Sequence, residues 1–244
     1  MNFYPIFWKD MLLIRKKPWK FLASSMVTPI LYLVTFGWGL GRGMSMTGGG
    51  SYLDFVLPGL LALSAMNNSF GPVSTSVNVS KLYTKTIEEV LVSPVGPWSI
   101  ALGRALSGTV RGLFSAFLLL IVGLLSGVHM TLSPFIVLVL GITAFCFASA
   151  GVAAAMVAKS HEDMSNFNSF VIIPMSFLAG TFFSPDKLPE PFRSMIMVYP
   201  LTHANILLRA LAGGKVPDAV SVIILTAYAV FFFYLAGRMV RRAV

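Results

Sequence analysis

The sequence predicts an all-α membrane protein, and three observations carry that expectation. Of 244 residues, 56% are hydrophobic and only 11% charged, with a mean hydropathy of +0.81, whereas soluble domains carry roughly 25% charged residues. The apolar residues fall in blocks close to the ~20 residues that cross a bilayer as helix. The formal net charge of +9 gathers on alternate connecting segments. Too little polar surface remains to cover a water-soluble globule, which excludes a soluble enzyme, a secreted disulfide scaffold and a disordered chain.

Six blocks are long enough to span, at about 21–40, 53–79, 105–128, 132–157, 166–183 and 219–236, making residues 1–244 a single transmembrane domain. An even count puts both termini on one side. Residues 1–20 place Phe3, Phe7, Met11 and Ile14 at helical spacing, with Lys9, Lys16 and Lys17 as a basic side. Such a helix lies in the membrane interface, its lysines against anionic headgroups. With the termini inside, eleven of the eighteen Lys and Arg fall on inner segments and five on outer ones. Arg104 and Arg111, seven residues apart on the third span, complete the set. That asymmetry is the positive-inside rule, so the charge reports topology and gives no reason to propose nucleic acid.

Chemistry-bearing constellations are scarce. Cys146 is the only cysteine, and His129, His161 and His203 lie in separate loops, so no metal cluster is expected. None of the spans carries Asp or Glu in its middle, which leaves a proton- or sodium-coupled carrier without its usual ion site. A phosphate-binding loop needs Gly-Lys-Ser/Thr after an earlier Gly. The nearest run, Gly213-Gly214-Lys215-Val216, has Val in place of the hydroxyl and Arg209 in place of the first Gly. If the protein moves a substrate uphill, the energy must come from another subunit.

In the second span, Ser64, Asn67, Gly71, Ser74 and Asn78 fall on one helical face. A small, polar stripe is costly against lipid. It suits either close packing against another helix or the wall of a water-filled path. Pro58 and Pro72 are expected to bend this helix. In the fifth span, Phe167, Phe170 and Phe177 form an aromatic face open to the same two readings, packing or substrate contact. Two connecting segments are too structured to be simple loops. In the inner one, Ser80–Pro97, Thr86 can cap a short helix whose first turn holds Glu88 and Glu89 and which ends at Pro94. The outer one, Ser184–Lys215, predicts a helix from Pro191 to Met197 and another from Thr202 to Gly213-Gly214. Both are too short to span, so they form a re-entrant hairpin before the last span.

Several runs resemble the type 2 ABC transporter permease family. They are Leu57-Pro58-Gly59-Leu60, Ile87-Glu88-Glu89-Val90-Leu91-Val92-Ser93-Pro94 and Arg111-Gly112-Leu113-Phe114. Further on come Pro174-Met175-Ser176-Phe177-Leu178-Ala179-Gly180-Thr181-Phe182-Phe183, Leu188-Pro189, Pro200-Leu201-Thr202-His203 and Arg209-Ala210-Leu211. In order and coverage the chain is most similar to the bacterial drug, polysaccharide and nodulation-factor export permeases.

The resemblance implies a six-span permease in a bacterial cell membrane with both termini cytoplasmic. It is paired with a second copy and docked on two separate ATPase subunits, which bind the ATP and Mg and do the hydrolysis. It also implies a coupling helix comprising Thr86, Ile87, Glu88, Glu89, Val90 and Leu91. The outer hairpin, with Pro200, His203 and Arg209, would stand at the exit gate. A translocation path lined by Asn67, Ser74, Asn78, Phe170 and Phe177 would carry a hydrophobic or amphipathic substrate: a drug, a lipid or a lipid-linked glycan. A secondary carrier working alone and a non-transporting membrane scaffold are the alternatives.

Overall fold

Proline and small polar residues set most of the helix boundaries. The Ser133 side chain accepts from the Phe135 amide while Pro134 opens the following helix. Ser160 and Asp163 close a reciprocal capping box. Pro97 and Pro200 stand in first turns, where a missing N–H leaves no bond unmade.

The computed structural model describes residues 3–16, 52–85, 95–185 and 188–242, with scattered positions between 19 and 35. Every element in it is helical: α1 (Tyr4–Lys16), α2 (Tyr52–Leu82), α3 (Pro97–Leu125), α4 (Pro134–Val157), α5 (His161–Phe167), α6 (Ile173–Leu178), α7 (Phe192–Met197), α8 (Pro200–Ala212) and α9 (Ala219–Arg242). A π-helical turn, Asn168–Ile172, joins α5 to α6. Most of the expected first span and the whole segment Thr86, Ile87, Glu88, Glu89, Val90, Leu91 lie outside the described residues.

Three described helices, α3, α4 and α9, are long and apolar enough to cross a membrane. At 1.5 Å per residue they measure about 44, 36 and 36 Å, against a hydrocarbon core of about 30 Å. The 31-residue α2 keeps Pro58 and Pro72 inside one helix. α3, α4 and α2 pack on one another, α9 lies across α4 and α3, and α8 seats against α2. Small residues set the closeness of this packing. A β-carbon at Gly112 would stand 2.7 Å from the Ala65 carbonyl and 3.0 Å from the Ala144 methyl; one at Gly108 would meet the Ala148 methyl at 2.7 Å. The Gly108-x-x-x-Gly112 spacing is therefore the notch that admits α2 and α4 to α3.

The helices alternate between two ends of the bundle. At the Pro97 end, α1 lies on α3: a β-carbon at Gly103 would meet Ile6 Cβ and the Phe3 carbonyl, each at 3.0 Å. The Lys81 ammonium donates to the carbonyls of Met156 (2.6 Å) and Ala158 (2.8 Å) at the C-terminus of α4, where the helix dipole favours a cation. The C-terminal turn of α9 meets α3 beside Trp98. Both α1 and the end of α9 thus stand at the same end as Lys81 and Lys159. At the other end, the His129 amide donates to Asp54 (2.9 Å), and α8 covers the start of α2.

Candidate functional site

Two polar centres occupy opposite ends of the bundle. At the Pro97 end, Asp10 of α1 and Arg104 of α3 form an ion pair at 2.9 Å, with both side chains almost wholly buried. Ser107 donates to the same carboxylate (2.9 Å), and the guanidinium also reaches Ser76 of α2 (3.2 Å). A charge removed from water must be paired and hydrogen-bonded, and Arg104 and Asp10 satisfy each other. The sequence put Lys9, Lys16 and Lys17 on a basic side of residues 1–20 and gave Asp10 no role beyond its charge. A single carboxylate inside an amphipathic basic helix was the available signal. Seven residues further along α3, Arg111 is half-buried, and its Nε has no hydrogen-bond partner among the described residues.

At the Tyr52 end, the fifth apolar block does not run as helix to Phe183. It leaves the helical path after Leu178, where Gly180 takes a positive φ of 76°. The carbonyls freed by that turn are gathered by α8. Arg209 donates to Thr181 (2.7 Å), Phe55 (3.3 Å) and Phe183 (3.4 Å) and stacks over the Phe55 ring at 3.9 Å. Asn205 donates to the Ala179 carbonyl (2.8 Å), and the Tyr52 hydroxyl to that of Phe182 (3.1 Å). Gly59 keeps room for this strap, since a β-carbon there would stand 2.8 Å from the Thr181 oxygen. Burial pulls the Arg209 guanidinium down to about 10, with Tyr52 working the other way. It is a positive centre stabilised by carbonyl dipoles with no carboxylate bonded to it among the described residues.

His203, on the same helix, is buried. Its Nε2 donates to the Met197 carbonyl (2.9 Å), and its Nδ1 lies 3.2 Å from the Ser221 hydroxyl. Ser221 in turn donates to Asp218 (2.8 Å), which caps α9 by accepting from the Ser221 amide (2.9 Å). Those hydrogen bonds hold the Asp218 carboxyl below the ordinary aspartate range. Pro200 opens α8, and Thr202 donates to the Ile196 carbonyl (2.7 Å), tying α8 back onto α7. The Tyr228 hydroxyl, in the middle of α9, donates to Val198 between the two short helices (2.7 Å).

The polar stripe of α2 divides along its length. Ser64 is buried and bonded to Ser115 of α3 (2.9 Å). Ser74 is buried and bonds back to the Gly71 carbonyl (3.0 Å). Asn78 is fully buried, and neither of its amide atoms has a hydrogen-bond partner among the described residues. Asn67 is half-exposed, and a β-carbon at Gly71 would meet nothing within 4 Å. Phe170, on the π-helical turn, is 79% exposed and Phe177 47%. α2 meets α5, just before that turn, through stacked rings, Phe70 on Phe167 with centroids 5.7 Å apart. Beneath that stack is an apolar cavity of about 410 Å³ between α4, the π-helical segment and α9, lined by Phe147, Phe167, Met175, Phe232 and Leu235 among others.

Comparison with known proteins accords with this architecture. Residues 1–212 match the model of the ABC-2 type transporter family. The chain is 29% identical to the inner membrane transport permease YadH of Escherichia coli (strain K12) over 224 residues, covering 91% of this chain and 87% of that one. It is 27% identical to nodulation protein J of Rhizobium meliloti (strain 1021) over 251 residues, covering 99% and 93%. Against nodulation protein J of Rhizobium leguminosarum bv. viciae the identity is 26% over 253 residues, covering 99% and 95%. With the family model matching most of its length, the chain belongs to the ABC-2 type transporters, as a membrane transport permease.

Proposed function

We propose that the chain is the membrane subunit of an ATP-driven exporter. It moves a hydrophobic or amphipathic substrate (a drug, a lipid or a lipid-linked glycan) out of the cytoplasm or inner leaflet. The observation that carries this reading is the family match over residues 1–212, joined to a chain whose sequence has no phosphate-binding loop. Two copies pair in the membrane and sit on two ATPase subunits, which hold the ATP and Mg. The chain crosses six times with both termini cytoplasmic; the grouping of Lys81, Lys159 and the α9 arginines at the Pro97 end supports that orientation.

Three groups of residues then take part in alternating access. Thr86, Ile87, Glu88, Glu89, Val90 and Leu91 seat in the ATPase and transmit its closure. Asn67, Ser74, Asn78, Phe170 and Phe177 belong to the translocation path at the seam between copies. The exposed rings of Phe170 and Phe177 support that placement; the burial of Ser74 and Asn78 would require them to turn outward during the cycle. Pro200, His203 and Arg209 form the exit gate. Its re-entrant character is supported by the hydrogen bond from Tyr228, which reaches α7–α8 from the middle of α9.

Reversing both acids, Glu88→Lys with Glu89→Lys, tests the coupling role. Loss of the ATPase from the purified complex, or loss of its stimulation, is expected. Unchanged recovery and unchanged stimulation would overturn the assignment.

A further inference from the structure

The last three turns of α9 carry a second basic centre that the transport reading does not use. Tyr234, Arg238, Arg241 and Arg242 recur at offsets of four, seven and eight, so they share a face. With Trp98 at the start of α3 they line one cavity of about 440 Å³. All three arginines are exposed, and none makes an ion pair or hydrogen bond among the described residues. The aromatic floor is fixed: Trp98 packs against Phe233 (5.9 Å between centroids) and Tyr234 (5.7 Å). Gly237 is what admits the indole, because a β-carbon there would run into the Trp98 ring.

The position of this cavity along α9 identifies its occupant. Val220, Ile223, Val230, Phe231 and Tyr234 form an exposed apolar stripe, which becomes basic at Arg238. From Val220 to Arg238 is about 27 Å at 1.5 Å per residue, close to the ~30 Å thickness of the hydrocarbon core. The guanidiniums therefore stand at headgroup height, and Trp98 and Tyr234 at the interface that such rings favour. Acyl chains lying along the stripe would bring a phosphodiester directly under three forked donors.

We infer that Trp98, Tyr234, Arg238, Arg241 and Arg242 bind the headgroup of an anionic phospholipid in the leaflet at the Pro97 end. That leaflet is the cytoplasmic one if the proposed topology holds. The site differs from diffuse attraction by surface lysines in having a fixed aromatic wall and three convergent guanidiniums. A protein partner is the less favoured occupant, because the cavity is continuous with the lipid-facing stripe.

The test is native mass spectrometry of the full chain, released from vesicles holding equal phosphatidylglycerol and phosphatidylcholine of identical acyl composition. Each basic side chain at a membrane surface is worth roughly fivefold in affinity, so three give a preference on the order of a hundredfold. The wild type should retain phosphatidylglycerol. Arg238→Gln with Arg241→Gln and Arg242→Gln should abolish the preference, and Trp98→Ala, which alters no charge, should weaken it severalfold.

Equal retention of both lipids by the wild type would overturn the site. So would a Trp98→Ala protein indistinguishable from wild type, which would mean diffuse charge only. Displacement of the lipid by inorganic phosphate would indicate a free-anion site. A triple variant that keeps the wild-type preference for phosphatidylglycerol would overturn the lipid site as well. The measurement reads no transport, so its failure leaves the exporter reading standing, and the reverse holds for the Glu88 and Glu89 reversals.

Discussion

Asp10 and Arg104 show how one residue pair can decide whether an amphipathic helix belongs to the fold or only to the membrane surface. A surface helix needs no buried carboxylate. Here Asp10 is 4% exposed and held by Arg104 and Ser107, so α1 is fastened to α3. Breaking a buried pair by removing one partner costs about 3–5 kcal/mol, because the other charge is left stranded. Asp10→Leu or Arg104→Met alone should lower the thermal midpoint in detergent sharply, and the double replacement should recover most of the loss. Additive losses in that double-mutant cycle would show that the two side chains do not depend on each other. The pairing was not legible in the sequence: the partners lie 94 positions apart, and periodicity finds faces without naming what a face meets.

At the scale of the element, several boundaries were readable to within a few residues and contacts were not. Pro134 after Ser133, the Ser160–Asp163 box and Pro200 are local chemistry, yet α8 begins at Pro200 and not at Thr202, and α3 at Pro97 and not near 105. The departure from helix after Leu178 depends on Asn205 and Arg209 collecting carbonyls from another segment, which no local pattern encodes. The π-helical turn at Asn168–Ile172 has no sequence signal that we can identify.

Two expectations belong at this scale. Gly112→Ala should cost about 1–3 kcal/mol by driving a methyl onto the Ala65 carbonyl. Gly141→Ala, where a β-carbon meets nothing within 4 Å, should be neutral or stabilising by up to about 1 kcal/mol. Equal effects on thermal stability would refute the notch.

The α9 cap makes a pH prediction. Because Asp218 is held below the ordinary aspartate pKa of about 3.9, its contribution is complete above that value and is lost as pH falls through the lower, folded-state one. Hydrogen exchange in the first turn of α9, taken relative to the intrinsic rate at each pH, should therefore be flat from neutral pH down to that range and rise only below it. Asp218→Asn should remove the acid step; a rise already present near neutral pH would contradict the cap.

For the molecule as a whole, low charge, apolar blocks and one-sided basic residues made the all-helical membrane class legible from composition alone. They also pointed to power from outside the chain, since no span carries an acid in its middle. What composition could not reveal is how the ends are finished. One end is closed by carbonyls around Arg209, the other by the Asp10–Arg104 pair, with the α9 arginines exposed beside it.

The proposed drive by a separate ATPase is tested by reconstituting the full chain in liposomes with and without that subunit. The two should co-purify, and the permease should stimulate ATP hydrolysis. Export of a lipid-like probe should require ATP and cease with Glu88→Lys and Glu89→Lys. Transport by the chain alone, driven by an ion gradient and indifferent to ATP, would contradict it.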